Sequence, residues 1–134
     1  MLSNRSMPAS TVIPVLAYPD VDFAVKWLCE TFGFTLRLRI GNHRAQLDVG
    51  DGAIVITEGS GDEHGLCSVM VRAEDVHSHF AQSRKCSARV LQPPTDYPYG
   101  ERQYTAEDFA GHRWTFSQSI ADVDPADWGG TLIT

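Results

Sequence analysis

A short motif recurs in this chain: Val15-Leu16-Ala17-Tyr18-Pro19-Asp20-Val21 is answered 55 positions later by Met70-Val71-Arg72-Ala73-Glu74-Asp75-Val76. Each copy reads as a short apolar strand, a turn ending in Asp-Val, and a helix. A chain of 134 residues holds two such units of about half its length, and a unit that cannot bury its own apolar face packs against its twin. Function is therefore expected between the halves.

The first helix is well marked, because Val21, Ala24, Val25, Leu28, Cys29 and Phe32 recur at helical spacing. Asp20 is placed to cap its start and Gly33 its end. Three strand-like stretches follow, at residues 34–40, 43–49 and 53–57, with Gly41-Asn42 and Gly50-Asp51-Gly52 as turns. The unit reads βαβββ. The second unit repeats the order: a strand over 67–72, a helix over 75–85, a strand over 89–92, and strands near 102–108 and 113–117. Pro93, Pro94 and Pro98 predict an extended loop between the last three, since proline cannot donate to a central ladder. The turn Asp108-Phe109-Ala110-Gly111 joins the final pair. Residues 59–65, polar and glycine-rich, connect the units, and the segment from about Ile120, with Asp122, Asp124, Asp127 and Trp128, has no period and is expected to pack through Trp128 alone.

Composition narrows the function classes. With 43% hydrophobic and 21% charged residues a full core is within reach. A net charge of -6 without a Lys/Arg cluster lacks the basic footprint that phosphate neutralisation needs, so no nucleic acid partner is expected. No apolar run spans a bilayer and residues 1–11 are too polar for a secretory signal, so no membrane partner and a cytoplasmic location are expected. Cys29, Cys67 and Cys86 are odd in number and form no CxxC pair, so they read as buried or incidental thiols, Cys67 as a strand residue. The sequon Asn4-Arg5-Ser6 then has no meaning.

Three features together carry a resemblance: the paired βαβββ modules, the strand-Asp-Val-helix opening, and Tyr99-Gly100-Glu101-Arg102-Gln103-Tyr104 followed by Asp108-Phe109-Ala110-Gly111-His112-Arg113-Trp114. They resemble the vicinal oxygen chelate superfamily, which includes glyoxalase I, extradiol dioxygenases, fosfomycin-resistance enzymes and bleomycin-resistance proteins, and most of all its uncharacterised glyoxalase-like branch. The resemblance covers residues 11–118. It implies an α+β fold in which two βαβββ modules form a curved sheet around a cleft. The modules are expected at about 11–58 and 67–118, with a linker over 59–66 and a tail over 119–134.

In the metal-dependent members, the resemblance implies, ligands come from the first and last strand of each module. Those positions fall here on Ile13, Val55, Ser68 and Thr115. None offers the nitrogen or anionic oxygen that an open divalent site needs, so no metal and no cofactor are expected. A displaced site from Glu58, His64 and His112 is the alternative, with nothing near Ile13. His77 and His79 stand two apart on a helix and cannot share one ion; both read as solvent-facing. His43 and His112 read as turn or strand-end residues, and no nucleophile elbow of the GxSxG kind occurs.

Strand alternation gives the cleft lining. Arg113, Thr115 and Ser117 share one face while Trp114 and Phe116 turn to the helix. Ile13, Val15 and Ala17 line one wall; Ser68, Met70 and Arg72 line the other. Apolar residues of the middle strands would face helices, leaving Arg37, Arg39, Gln46 and Asp48 inward or in solvent. Arg102, Tyr104 and Ala106 share a face that the resemblance turns into the cavity, where with Met70, Ile13, Val15 and Val55 they would form a mostly apolar pocket with a few polar groups. Otherwise Arg102 pairs with Glu101 or Asp108 and Tyr104 simply packs. Tyr97 and Tyr99 belong to a lid or a dimer arm.

The leading expectation is a metal-free protein that binds or sequesters a small aromatic or anionic molecule and works as a homodimer. Beside it stand a metal-dependent lyase or dioxygenase built on Glu58, His64 and His112, a metal-independent enzyme with Tyr104 or His112 as acid or base, and a partner subunit that docks through the acidic tail and Trp128.

Overall fold

A computed structural model describes residues 4–59 and 68–133; His64, Cys67 and most of the expected linker lie outside them. The chain divides into two compact units, residues 1–64 and 65–134. The first runs β1 (Val15–Tyr18), α1 (Val21–Phe32), β2 (Thr35–Ile40), β3 (Arg44–Val49) and β4 (Gly52–Glu58). The second runs β5 (Ser68–Arg72), α2 (Val76–Lys85), β6 (Arg89–Asp96), β7 (Glu101–Glu107) and β8 (Arg113–Ser119), followed by a single 3-10 turn at Pro125–Trp128. Both are βαβββ modules. Their sheets have equivalent orders, β1-β4-β3-β2 and β5-β8-β7-β6, with the first and last strands of each module parallel and the other pairs antiparallel.

In the first unit α1 forms where its apolar stripe predicts. Asp20 accepts a hydrogen bond from the Phe23 amide at 3.1 Å, and Gly33, left-handed at φ 80, closes the end with its N–H on the Cys29 carbonyl at 3.1 Å. Losing this cap, Asp20→Ala should cost about 1 kcal/mol, read as a small fall in midpoint on denaturant unfolding. Val21, Ala24, Val25, Leu28 and Phe32 are buried, as are Ala45, Leu47, Ile54 and Ile56 of the sheet. Burial also pushes the Cys29 thiol above its ordinary pKa, the direction that disfavours the nucleophilic thiolate.

One departure from strict alternation decides the facing of β2. Leu36 pairs with Leu47 but Leu38 pairs with Gln46, so a bulge at Arg37 inserts a residue and flips the parity beyond it. Arg39 therefore turns to the helix side, where it meets Asp22 of α1, while Arg37 reaches Gln46 on the opposite face. The four polar residues expected to share a face are divided by that single insertion.

In the second unit Asp75 caps α2 by accepting from the Ser78 amide and hydroxyl, and those bonds hold its carboxyl below the usual carboxylate range. Val76, Tyr104, Ala106, Trp114 and Phe116 form the core, each 0% exposed. The loop expected after Gln92 is instead the continuation of β6 through Pro93 and Pro94 to Asp96. The prolines are tolerated because β6 is an edge strand paired only with β7, and its register breaks at Val90/Gln92 and Gln92/Thr95 absorb the missing donors.

The C-terminal segment is also more ordered than its sequence implies. The Ile120 and Ala121 amides both donate to the Gly100 carbonyl, at 2.8 and 3.3 Å. Tyr97 stacks on Tyr99 at 5.3 Å, and Tyr99 meets Trp128 at 5.4 Å between centroids. Trp128 does pack, as expected, but backbone bonds at Gly100 hold the segment as well.

Candidate functional site

Each sheet has one face covered by its helix and one that is not, and the register assigns every candidate residue to one of them. In the first unit a row of cross-strand partners, Val15, Val55, Gln46 and Leu38, crosses all four strands on the face opposite α1. Val15 is 55% exposed, whereas Val55 and Gln46 are buried. Ile13 lies just before β1 and is half-buried; the neighbouring Pro14 carbonyl accepts from the Val55 amide at 2.9 Å.

Gln46 is a polar side chain at 4% exposure, so its amide must be satisfied. Its Oε1 accepts from Arg37 Nη1 at 2.5 Å and its Nε2 donates to the Ser6 carbonyl at 2.9 Å. Arg37 Nη2 donates further to the carbonyls of Arg5 and Met7, at 2.9 and 3.0 Å. Sequence reading placed Gln46 correctly opposite the helix but gave no sign of the N-terminal segment lying over it.

In the second unit the uncovered face carries Ser68, Met70 and Arg72 of β5 with their partners Arg113, Thr115 and Ser117 of β8. Met70 is 63% exposed. The Thr115 and Thr105 hydroxyls meet at 2.9 Å. Beside them Glu101 accepts from the Ser117 hydroxyl at 2.7 Å and from Ser119, Gln103 donates to Ser117 at 3.0 Å, and Arg72 donates to Ser119 at 2.8 Å. Burial pushes the Glu101 carboxyl up, but the Ser119 and Ser117 hydroxyls and the Arg72 charge outweigh it and hold the group below its usual value. Gln103 and Thr105 were not expected as site residues, and Glu101 only as a partner of Arg102; all three follow from the parity of β7 once one of its residues is placed.

That parity also corrects the placement of Arg102 and Tyr104. They share a face with Ala106 as expected, but it is the helix-covered one. Tyr104 pairs with Phe116 and Ala106 with Trp114, and cross-strand partners point the same way, so Tyr104 follows the two aromatics inward. Its hydroxyl meets Ser83 of α2 at 2.6 Å and His79 of the same helix. His79 is thus not a solvent-facing residue: its ring lies 4.0 Å from that of Phe116. Arg102 pairs with Asp96, through Nε at 2.7 Å and Nη2 at 3.2 Å, rather than with Glu101 or Asp108.

Burial pushes the Tyr104 pKa up to about 12 despite the Ser83 bond. The unfolded phenol ionises near 10 and the folded one about two units higher, so the stability this group contributes is complete below pH 10 and is lost as pH rises towards 12, by about 2–3 kcal/mol. Tyr104→Phe should lose about 1 kcal/mol at pH 7 and lack that part of the alkaline fall, as urea midpoints across the pH range would show.

Asp108, His112 and Glu58 lie at a turn or a strand end. Asp108, 4% exposed, accepts from the Ala110 and His112 amides and from Trp114 Nε1, each at 3.0 Å, so it organises the turn that carries His112. Glu58 ends β4 and is exposed. Among the described residues no three His, Cys, Asp or Glu side chains gather as metal ligands would. At Ile13 and Val55 the side chains are aliphatic and offer no donor, and at Ser68 and Thr115 they offer only neutral hydroxyls. This set does not fit a divalent metal, which takes imidazole, carboxylate or thiolate donors.

Two successive βαβββ modules, each with a parallel pair of first and last strands, define the paired-module class of α+β proteins. Residues 11–116 match the Glyoxalase/Bleomycin resistance protein/Dioxygenase superfamily, and the chain belongs to it. TioX from Micromonospora sp. ML1 is similar, with 36% identity over 86% of this chain and 100% of that one, and a TM-score of 0.71. The fold recurs in FosX, a genomically encoded fosfomycin resistance protein from Listeria monocytogenes, at 16% identity over 84% of this chain and 94% of that one, TM-score 0.69. It recurs too in a glyoxalase/bleomycin resistance protein/dioxygenase from Alicyclobacillus acidocaldarius, at 12% identity over 86% and 95% of the two chains, TM-score 0.67. No protein of curated function matches in sequence. No helix among the described residues is long and apolar enough to cross a membrane.

Proposed function

We propose that this chain is a metal-free binding protein that sequesters a small aromatic or anionic molecule, as a cytoplasmic homodimer. One observation carries the reading: on a superfamily scaffold, the positions where metal-dependent members are expected to hold their ligands are Ile13, Val55, Ser68 and Thr115. The candidate ligand contacts are Val15, Val55 and Gln46 on the sheet of the first unit, and Ser68, Met70, Arg113 and Thr115 on that of the second. Apolar area with a few orienting polar groups is the usual composition of a small-molecule site, and Arg113 is the cation suited to an anionic group.

A thermal-shift screen with aromatic and anionic compounds tests this. A ligand at 100 times its Kd adds about 2.7 kcal/mol to the folded state, a shift of several degrees that Arg113→Ala should reduce. A panel in which no compound raises the melting temperature would count against binding, and gel filtration at monomer mass would end the dimer part of the proposal.

A further inference from the structure

We propose that Arg37 and Gln46 form a recognition site for successive amide carbonyls, that residues 5–7 occupy it as a built-in strap, and that a peptide-like ligand takes the same donors when the strap lifts. Three consecutive backbone carbonyls, those of Arg5, Ser6 and Met7, are each held by this pair, at 2.9, 2.9 and 3.0 Å. A guanidinium only donates, so the Gln46 oxygen must be the atom facing Arg37. The Gln46 NH2 is thereby turned outward, and the pair presents donors to whatever lies over it. Arg37 follows Leu36, which pairs with the helix-side Leu47, so alternation sets the guanidinium on the face that carries Gln46, and the bulge leaves Leu38 rather than Arg37 as the direct cross-strand partner of Gln46.

The strap is held mainly by those carbonyls. Residues 4–7 are exposed and Pro8 is buried. The strap's own bonds are a local turn, from the Ser6 amide to Asn4 Oδ1 at 3.0 Å and from the Met7 amide to the Asn4 carbonyl at 3.2 Å. Gln46 shares its row with Val15, Val55 and Leu38, so strap release would leave directed donors in a row of otherwise apolar side chains. Such donors are costly to leave unpaired, and any ligand must match the strap's run of acceptors to replace it. A tethered segment also competes at high effective concentration, lowering the apparent affinity of a free ligand. The proposal rests on the binding-protein reading for its physiological ligand class, since Gln46 belongs to both, but its readouts depend on neither metal content nor the compound screen.

Native trypsin cleavage of the full chain at Arg5–Ser6 tests the strap directly. Arg37→Leu should speed this cut by about tenfold or more while cleavage at Arg84 and Lys85 stays unchanged; equal rates at Arg5 in both chains would overturn the proposal. A fluorescein-labelled peptide copying residues 4–9 tests the site in trans. It should bind a chain lacking residues 1–8, bind the full chain far more weakly, and fail to bind the shortened chain with Arg37→Leu. Binding indifferent to Arg37, or no binding to a shortened chain that melts cooperatively, would contradict it. If the shortened chain does not fold, the cleavage ratio decides alone, and it stands or falls separately from the metal-free reading.

Discussion

Replacing Trp114 with alanine should come close to unfolding the second unit. The side chain is 0% exposed and sits with Tyr104, Phe116 and Ala106 on the face that α2 covers. Truncating a buried tryptophan costs about 3–5 kcal/mol through lost transfer energy and the cavity left behind. The same change removes the indole donor to Asp108, a carboxylate at 4% exposure. A domain of this size has about 5–15 kcal/mol in total, and the loss corresponds to a fall of roughly 10–20 °C in Tm. Calorimetry on wild type and Trp114→Ala reads this; a change of only a degree or two would mean that the core of the second unit is not where the register puts it.

Gly100→Ala is expected to be nearly as damaging, for a different reason. Gly100 has φ +84, a conformation that costs an L residue about 1–2 kcal/mol. A Cβ there would stand 2.4 Å from the Ala121 carbonyl oxygen and 3.0 Å from Val123 Cγ2, and backbone has no rotamer with which to escape. The chain must shift, breaking the Ile120 and Ala121 bonds to the Gly100 carbonyl. A total loss of about 2–4 kcal/mol follows, with the segment that carries Trp128 released. Tryptophan fluorescence should become more solvent-exposed well below the unfolding midpoint, and an unchanged spectrum and Tm would show that the C-terminal segment is not anchored at this turn.

The recurrence of strand, Asp-Val and helix was enough to show both modules, because capping and apolar period are local properties that sequence records directly. Asp20, Gly33 and Asp75 all act as their positions imply. Side-chain facing was legible only where alternation ran unbroken. Trp114 and Phe116 point to the helix as expected, but the expectation for Tyr104 needed a register, and only the pairing of Tyr104 with Phe116 supplies it. The bulge at Arg37 was equally hidden: nothing in Thr35–Ile40 marks which residue is inserted, yet it decides that Arg39 turns to the helix side and meets Asp22. Pro93 and Pro94 misled because their compatibility with a strand depends on whether that strand lies at the edge of its sheet, which is a property of the whole unit. The strap over Gln46 rests on pairs more than 30 positions apart in sequence, Arg37 to Arg5 and Gln46 to Ser6, between residues without a motif.

The central claim is that the superfamily scaffold here works without a metal, and elemental analysis of protein purified without a metal-chelating tag tests it most directly. Aliphatic and hydroxyl side chains at Ile13, Val55, Ser68 and Thr115 predict transition metal far below one atom per chain. About one Ni, Zn, Mn or Fe per chain, lost on Glu58→Ala, would contradict that claim and put a metal-dependent enzyme in its place.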